Sequence, residues 1–171
     1  MRIKREMKNH LDGKPAWIRL KLNSLLDEEI VAAIYEAADA GVKVEIVVRG
    51  ICSLQLNTQA RRENIKVRSI LGRFLEHSRI YYFHNDGAEE YFIGSADMMQ
   101  RNLDRRVESL VRIDSEKHKE RLKVILDDSV SDQYSTWKLT DDNQWSRKIT
   151  DTEGNFLVNF QDHFIDKHNR A

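Results

Sequence analysis

The sequence predicts an α/β fold in which a mixed β-sheet is flanked by helices. The first observation is a strand, a helix and a second strand in that order within residues 16–50, which is typical of two parallel strands joined by a right-handed crossover. The second is a pair of strand-like segments, residues 78–85 and 89–95, with Asp86 and Gly87 at the turn between them. Such a pair is antiparallel, so the sheet as a whole is mixed.

Two elements precede the best-defined helix. Ile3, Met7 and Leu11 are spaced by four residues, which places them on one stripe of a helix within residues 1–11. Residues 16–22 then alternate apolar and basic side chains, the pattern of a half-buried strand. We therefore expect a helix followed by a strand with one face in solvent.

The next two elements complete the crossover unit. Asp27 is suited to cap the start of a helix, and Gly41 follows the last apolar turn of that helix as a typical end signal. Residues 42–50 are rich in β-branched residues and largely apolar, as expected of a strand that is covered on both faces.

The remaining elements are predicted from shorter patterns. We expect a long connection after residue 50 with a short strand at residues 65–70, then a strand at residues 106–113. A helix at residues 114–130 follows, capped by Asp114 or Ser115.

The pattern divides the chain at about residue 130. Residues 1–130 are predicted to form the α/β domain, and residues 131–171 a C-terminal extension. Turn-rich segments in the extension predict a hairpin, and residues 156–168 have a weak helical pattern.

Composition limits the classes of function. The 171 residues are 40% hydrophobic, enough for one main domain with a core, and no apolar run suits a membrane span or a signal peptide. Lys plus Arg and Asp plus Glu number 28 each, so no general attraction to nucleic acid follows and we expect no nucleic-acid partner. Cys52 is the single cysteine, which suits a reducing compartment, so we expect a cytoplasmic protein.

Positive charge is concentrated in one part of the chain. Between residues 49 and 79 there are seven basic and two acidic residues, whereas residues 113–171 have nine basic and twelve acidic ones. Arg49 ends an apolar strand and is followed by Gly50. Ligands of open α/β sheets gather beyond the carboxyl ends of parallel strands, where an arginine can bind phosphate oxygens. Pairing with a structural carboxylate is the alternative role for Arg49, and Arg106 poses the same choice.

His77, in the stretch GRFLEHSRIYYF, has three interpretations. It could bond a backbone carbonyl at a strand entrance, it could bind a metal, or it could handle a phosphoryl group. The other histidines make no pair at a metal-binding spacing, which disfavours the second. The third is supported by Arg79, two residues further on the expected strand, and by the glycine and hydroxyl of the GSAD stretch at residues 94–97.

These motifs resemble a known superfamily. His-x-Arg, then a strand, a turn and Gly-Ser-x-Asp, is similar to the half-site of the phospholipase D superfamily. The stretches KLNSLLDEE, EIVVRGICSL, VRSILGRFLEHSRIYYF and YFIGSADMMQRNLDRRVE together resemble the C-terminal region of bacterial polyphosphate kinase of the phosphohistidine type. The resemblance covers residues 1–130 and identifies them as its second phospholipase D-like domain.

The resemblance implies an activity and its partners. The family enzyme reversibly transfers the terminal phosphate of ATP to inorganic polyphosphate, with Mg²⁺ and a phosphorylated histidine that belongs to the preceding domain. It implies ATP or ADP, polyphosphate, the remaining domains of the kinase and a homo-oligomer as partners. It also implies a cytoplasmic location, with peripheral membrane association of the full enzyme. Because this chain lacks a second histidine motif, we expect it to be inactive alone, and no Mg²⁺ ligand is identified in it.

The resemblance also implies site residues. His77 would be the partner histidine across a shared phosphate tunnel and Arg49 an ATP contact, while Arg106 would face the phosphates. The positions matched to nucleotide or phosphate binding are Arg49, His77, Ser95, Asp97, Asn102 and Arg106.

Two alternatives stay open. Two copies could form a phospholipase D-like phosphodiesterase or nuclease with their His77 side chains face to face, although Arg79 stands where that superfamily has lysine. The chain could also be a non-catalytic module that binds polyphosphate. Met98, where the kinase family often has an aromatic residue, is a departure close to the site.

Overall fold

The computed structural model describes residues 1–169, whose nine strands form a mixed sheet. The helices are α1 (Arg2–Leu11), α2 (Glu28–Asp39), α3 (Gln59–Asn64), α4 (Gln100–Asp104), α5 (Glu116–Val130) and α6 (Phe160–Asn169). The strands are β1 (Trp17–Leu22), β2 (Lys43–Val48), β3 (Ile65–Ser69), β4 (Ile80–Phe83), β5 (Glu90–Gly94), β6 (Leu110–Ile113), β7 (Tyr134–Leu139), β8 (Trp145–Lys148) and β9 (Val158–Asn159).

The strand order confirms the predicted mixed α/β fold. The order is β6-β5-β4-β1-β2-β3-β7-β8, and β9 pairs with β7. The crossover unit makes β1 and β2 parallel, and β3 continues the parallel set. β4, β5 and β6 extend the sheet by antiparallel pairing on the β1 side, and β7 and β8 do so on the β3 side.

Helices cover both faces of the sheet. On one face, side chains of α1 and α2 pack with β1 and β2 in the main core, for which Ile18, Leu20 and Ile34 are fully buried examples. On the other face, Leu126 of α5 packs against a cluster that includes Tyr82 of β4. None of the helices in residues 1–169 is both long and apolar enough to cross a membrane.

The cap signals of α2 are confirmed, whereas the predicted cap of α5 is wrong, because Ser115 precedes α5 but its side chain makes no capping hydrogen bond. The Asp27 side chain accepts a hydrogen bond from the Ile30 N–H at 3.0 Å, and α2 begins directly after Asp27. Gly41 has φ +106°, a left-handed conformation that side chains rarely adopt, so the chain can leave the helix there and enter β2.

The prediction that β1 is half buried is wrong. Arg19 and Lys21 are each only 2% exposed because α5 and the segment before β4 cover that face. Nη1 of Arg19 donates to Asp127 at 2.6 Å, and Nζ of Lys21 donates to Glu76 at 2.8 Å. Partners distant in sequence therefore neutralise both charges, and β1 is covered on both faces.

The connections contain differences from the sequence-based prediction. The strand predicted at residues 106–113 begins only at Leu110, so Arg106 lies in a loop. Neither α3 nor α4 was predicted, because helices of six and five residues are too short to show an amphipathic period. Thr58 caps α3 by accepting a hydrogen bond from the Arg61 N–H at 3.3 Å.

The C-terminal segment has the predicted hairpin, β7 and β8, and the predicted helix, α6. β7 pairs antiparallel with β3, so the hairpin extends the same sheet. Phe160 of α6 packs with Val47 and Ile70 in a small buried cluster. The division of the chain at residue 130 stays a prediction.

Candidate functional site

Four chain segments meet at one edge of the sheet. β1 and β2 are parallel, so Asn23 and Arg49, which follow them, leave the sheet on the same side. β4 is antiparallel to β1, which brings residues 77–79, just before β4, to that side as well. β5 is antiparallel to β4, so residues 95–97 follow its end there. This is the edge where open α/β sheets bind ligands.

Arg79 and Asp97 form a two-point ion pair at this edge. Nε and Nη2 of Arg79 each lie 3.1 Å from an oxygen of the Asp97 carboxylate, and the Asn23 N–H donates to that carboxylate at 2.8 Å. Burial acts to raise the pKa of Asp97, but the hydrogen bonds from Arg79 and Asn23 outweigh it, so the pKa lies below its ordinary value. Asp97 is therefore an ionised anchor for Arg79.

Arg49 is tied to the same cluster through Asn23. Nε of Arg49 donates to Oδ1 of Asn23 at 3.3 Å, and the Gly50 N–H donates to the Asn23 carbonyl at 2.6 Å. A Cβ at Gly50 would lie 2.9 Å from that carbonyl, so the close approach requires glycine. Within residues 1–169, neither terminal nitrogen of Arg49 has a hydrogen-bond partner, so both are available to an anion.

His77 lies in the segment before β4. The prediction that His77 and Arg79 share one strand face is wrong, because β4 begins only at Ile80 and Arg79 turns inward to Asp97. The His77 side chain is exposed, and its imidazole makes no hydrogen bond within the described part of the chain. The His77 carbonyl accepts a hydrogen bond from Nη1 of Arg79 at 3.2 Å. The backbone at His77 is thus held by Arg79 while the imidazole is left open.

Ser95 and Asn102 are joined by Glu108. The Ser95 hydroxyl donates to one oxygen of Glu108, and Nδ2 of Asn102 donates to the other at 2.6 Å. The Ser109 N–H donates to the Ser95 hydroxyl at 3.0 Å, which closes the loop between β5 and β6. The hydrogen bonds from Ser95 and Asn102 lower the pKa of Glu108. These contacts hold the loop that carries Arg106.

Arg106 lies in this loop beside a cavity. The cavity has a volume of about 460 Å³, and Asp97, Asn102, Arg106 and Glu108 are among its polar lining residues. Tyr81 is among its apolar lining residues. The Arg106 side chain is exposed and forms no salt bridge within residues 1–169, although its charge interacts with the nearby Glu108 carboxylate. Its guanidinium can therefore reach a ligand at the mouth of the cavity.

The described residues do not assemble a metal site. Among the side chains that the structure describes, no group of three or more His, Cys, Asp or Glu could hold a metal ion. The carboxylates of Glu76, Asp97 and Glu108 at the site already accept hydrogen bonds from the chain. Mg²⁺ therefore stays an expectation carried by the resemblance, without identified ligands.

Two residues of the cluster were not singled out from the sequence. Asn23 directly follows the strand predicted at residues 16–22, and the strand-end argument applied to Arg49 could have found it. Glu108 lies within the segment wrongly predicted as strand, where no local signal marks it.

Comparisons with known proteins agree with the resemblance. A family model described as "Polyphosphate kinase C-terminal domain 2" matches residues 1–159. The polyphosphate kinase of Streptomyces coelicolor is 48% identical over 169 residues, which are 99% of this chain and 23% of that protein. The polyphosphate kinase of Synechocystis is 45% identical over 146 residues, 85% of this chain and 20% of that protein. The chain thus spans less than a quarter of the length of these relatives.

Solved structures show the same relationship. The crystal structure of polyphosphate kinase from Porphyromonas gingivalis matches 99% of this chain and 26% of that chain, with a TM-score of 0.87 and 32% identity. NucT from Helicobacter pylori has a TM-score of 0.53 at 16% identity, over 75% of this chain and 86% of its own. Nuc from Salmonella typhimurium, a phospholipase D family member, has a TM-score of 0.51 at 16% identity, over 84% and 89%. These two show a likeness of fold alone, and that fold is phospholipase D-like.

Proposed function

Because this chain belongs to the polyphosphate kinase C-terminal domain 2 family, we propose that it supplies nucleotide- and phosphate-binding residues to a kinase that reversibly transfers the terminal phosphate of ATP to inorganic polyphosphate. A continuous chain of hydrogen bonds that links Arg49 to His77 supports this function best. Arg49 bonds Asn23, whose N–H bonds Asp97. Asp97 holds Arg79, which bonds the carbonyl of His77. One polar network thus fixes an arginine and a histidine at the same edge of the sheet.

The network suits phosphoryl transfer. In this reaction most site residues act by neutralising charge and aligning the transferred group, and few need to form covalent bonds. Both terminal nitrogens of Arg49 lack a hydrogen-bond partner within residues 1–169 and can bind phosphate oxygens, and the Arg106 guanidinium is exposed beside the cavity. Because Asp97 is already neutralised by Arg79, the carboxylate does not repel a bound phosphate as strongly as an unpaired one would.

His77 would act on an oxygen at the reacting phosphorus. When the bond from the terminal phosphorus to the ADP oxygen breaks, the imidazole would donate a proton or a hydrogen bond to that oxygen, and it would accept one in the reverse reaction. The covalent nucleophile, a second histidine, would come from the preceding domain of the full kinase. Ser95, Asp97 and Asn102 would then shape the site without contributing a nucleophile. The isolated chain would bind ligand but not turn it over.

The other proposed partners follow from the family. They are ATP or ADP, polyphosphate, the remaining kinase domains and further copies of the full enzyme. Mg²⁺ would accompany the nucleotide, and no step proposed here depends on its ligands. We place the protein in the cytoplasm, with peripheral membrane association of the full enzyme.

Binding to the purified chain tests the arginines. We expect Arg49→Ala and Arg106→Ala each to weaken the affinity for ADP and inorganic polyphosphate about tenfold by isothermal titration calorimetry, because each removes charged hydrogen bonds to phosphate. Arg105→Ala is the matched control, since Arg105 is also exposed and is adjacent to Arg106. Unchanged binding by both Arg49→Ala and Arg106→Ala would indicate nonspecific contact instead of a built site.

Labelled ATP tests the missing nucleophile. We expect residues 1–171 to form no acid-labile phosphohistidine with γ-labelled ATP and to extend no polyphosphate. If the chain did both, the assignment of the nucleophile to another domain would be wrong. The phosphodiesterase alternative is separated by hydrolysis of bis-p-nitrophenyl phosphate with His77→Ala as control, and the pairing of Arg79 with Asp97 argues against it.

A further inference from the structure

The segment that carries His77 is held by a helix from the far end of the chain. Residues 70–79 join β3 to β4 without regular structure. The side chain of Gln161, in the first turn of α6, bonds the backbone of Phe74 in both directions. The Phe74 N–H donates to Oε1 at 2.8 Å, and Nε2 donates to the Phe74 carbonyl at 2.8 Å. Gln161 is only 5% exposed, so these bonds are shielded from water.

Further hydrogen bonds connect the side-chain amide of Gln161 to the two residues that flank His77. Nε2 of Gln161 donates to Oε1 of Glu76 at 2.9 Å, and Oε2 of Glu76 accepts from Nζ of Lys21 at 2.8 Å. Nζ of Lys21 also donates to the hydroxyl of Ser78 at 2.9 Å. The residues directly before and after His77 are therefore both fixed, one of them by way of Gln161.

Apolar packing fixes this segment only at its start, where Ile70 is buried against Phe160 of α6. Leu71, Phe74 and Leu75 are each more than half exposed, so burial of these side chains contributes little to holding it. The chain also passes very close to the amide, since a Cβ at Gly72 would lie 2.5 Å from Oε1 of Gln161. Beyond Ile70, the hydrogen bonds of Gln161 thus hold the segment against α6.

We propose that Gln161 is a positioning residue for His77, so that α6 contributes to the phosphate site. This inference rests on the proposed function, in which His77 acts on a phosphate. Gln161 fixes the backbone at Phe74 and the carboxylate of Glu76, and these set where the imidazole points. Without that amide, Lys21 and Arg79 still hold residues 76–79, but the backbone at Phe74 loses its fixed position.

Double-mutant binding measurements separate positioning from general stability. Gln161→Met keeps the volume of the side chain and removes its hydrogen bonds. In the 171-residue chain, we expect Gln161→Met to weaken binding of inorganic tripolyphosphate about tenfold when His77 is present. The reason is that the hydrogen bonds from Gln161 to Phe74 and Glu76 are lost, so the His77 segment is no longer held in position. In a His77→Ala background, the same substitution should change binding less than about twofold, because there is no imidazole left to position.

Controls keep the result interpretable. Gln133→Met is the matched control, since Gln133 is exposed and its side chain makes no hydrogen bond within residues 1–169. Gln161→Glu is the second variant in case Gln161→Met does not fold. It retains an acceptor for the Phe74 N–H, loses the donor and places a like charge beside Glu76. It should weaken binding at least as much as Gln161→Met.

Nuclear magnetic resonance gives a readout that does not depend on ligand. We expect Gln161→Met to speed hydrogen exchange of the Phe74 amide and to shift the ring signals of His77, whereas Gln133→Met should leave both unchanged. Equal weakening by Gln161→Met with and without His77, or unchanged exchange and ring signals, overturns the positioning role. If His77→Ala alone leaves tripolyphosphate binding intact, the proposed function of His77 fails instead, and the exchange and ring signals alone decide the role of Gln161.

Discussion

At the scale of single residues, Asp97 joins three parts of the chain. Its carboxylate accepts hydrogen bonds from Arg79, ahead of β4, and from the N–H of Asn23, after β1. The Asp97 residue itself follows β5 and is only 7% exposed. Because so little water reaches this pair, removing one partner leaves the other charge poorly compensated.

We predict that Asp97→Ala lowers the free energy of unfolding by about 3 kcal/mol at neutral pH. The substitution breaks a largely buried ion pair and leaves the Asn23 N–H without its acceptor. Urea unfolding of the purified chain measures this loss. Asp104→Ala, at an exposed position, should change stability by less than about 0.5 kcal/mol. Equal losses in the two variants would contradict a structural role for the pair.

The same variant has a predictable pH dependence. The pKa of Asp97 is lowered in the folded chain, so its stabilising contribution is complete above the unfolded pKa of about 3.9 and is lost as pH falls through the folded pKa. The stability difference between the unsubstituted chain and Asp97→Ala should therefore be constant from about pH 5 to 7 and shrink below about pH 4. A difference that grew on acidification would have the wrong sign.

At the scale of elements, α1 is attached to the turn between β4 and β5 by one buried carboxylate. Glu6 is 0% exposed and accepts the Asn85 N–H at 2.9 and 3.1 Å. Asn85 has φ +51°, so this N–H projects from a left-handed turn instead of a strand. Glu6 thus supplies the acceptor for the Asn85 N–H, which no neighbouring strand provides.

We predict that Glu6→Ala lowers the free energy of unfolding by roughly 2 kcal/mol, because the Asn85 N–H then loses its acceptor in a buried place. Glu6→Gln keeps an acceptor oxygen and should cost less. Lys4→Ala, on the exposed side of α1, is the control and should have almost no effect in the same urea titration. A Glu6→Ala variant as stable as Lys4→Ala would show that water replaces the carboxylate.

At the scale of the whole molecule, the fold was predictable wherever the signal was local. The cap at Asp27 and the alternation of strands and helices fix the crossover unit within about 35 residues of sequence. The burial of Arg19 was not predictable, because its partner Asp127 comes from a helix 108 residues later. The same holds for the site. Arg49 could be predicted from its place at a strand end, whereas the contact of Gln161 with the His77 segment could not, because Gln161 lies 87 residues after Phe74.

The C-terminal segment covers parts of the α/β sheet that residues 1–130 alone would expose. β7 pairs with the edge of β3, and Phe160 covers Val47 and Ile70. A chain of residues 1–130 would leave that edge unpaired and that cluster open. It would also remove Asp132, which accepts a hydrogen bond at 2.6 Å from Arg68, a residue only 3% exposed.

We therefore expect residues 1–130 to unfold at a lower urea concentration than the full chain, with a loss of at least about 3 kcal/mol, and to associate in size-exclusion chromatography. A chain ending at residue 169 is the control for shortening alone, since it keeps every described contact. If residues 1–130 instead unfolded at the same urea midpoint as the full chain, the C-terminal segment would be a separable extension, as the sequence-based division has it.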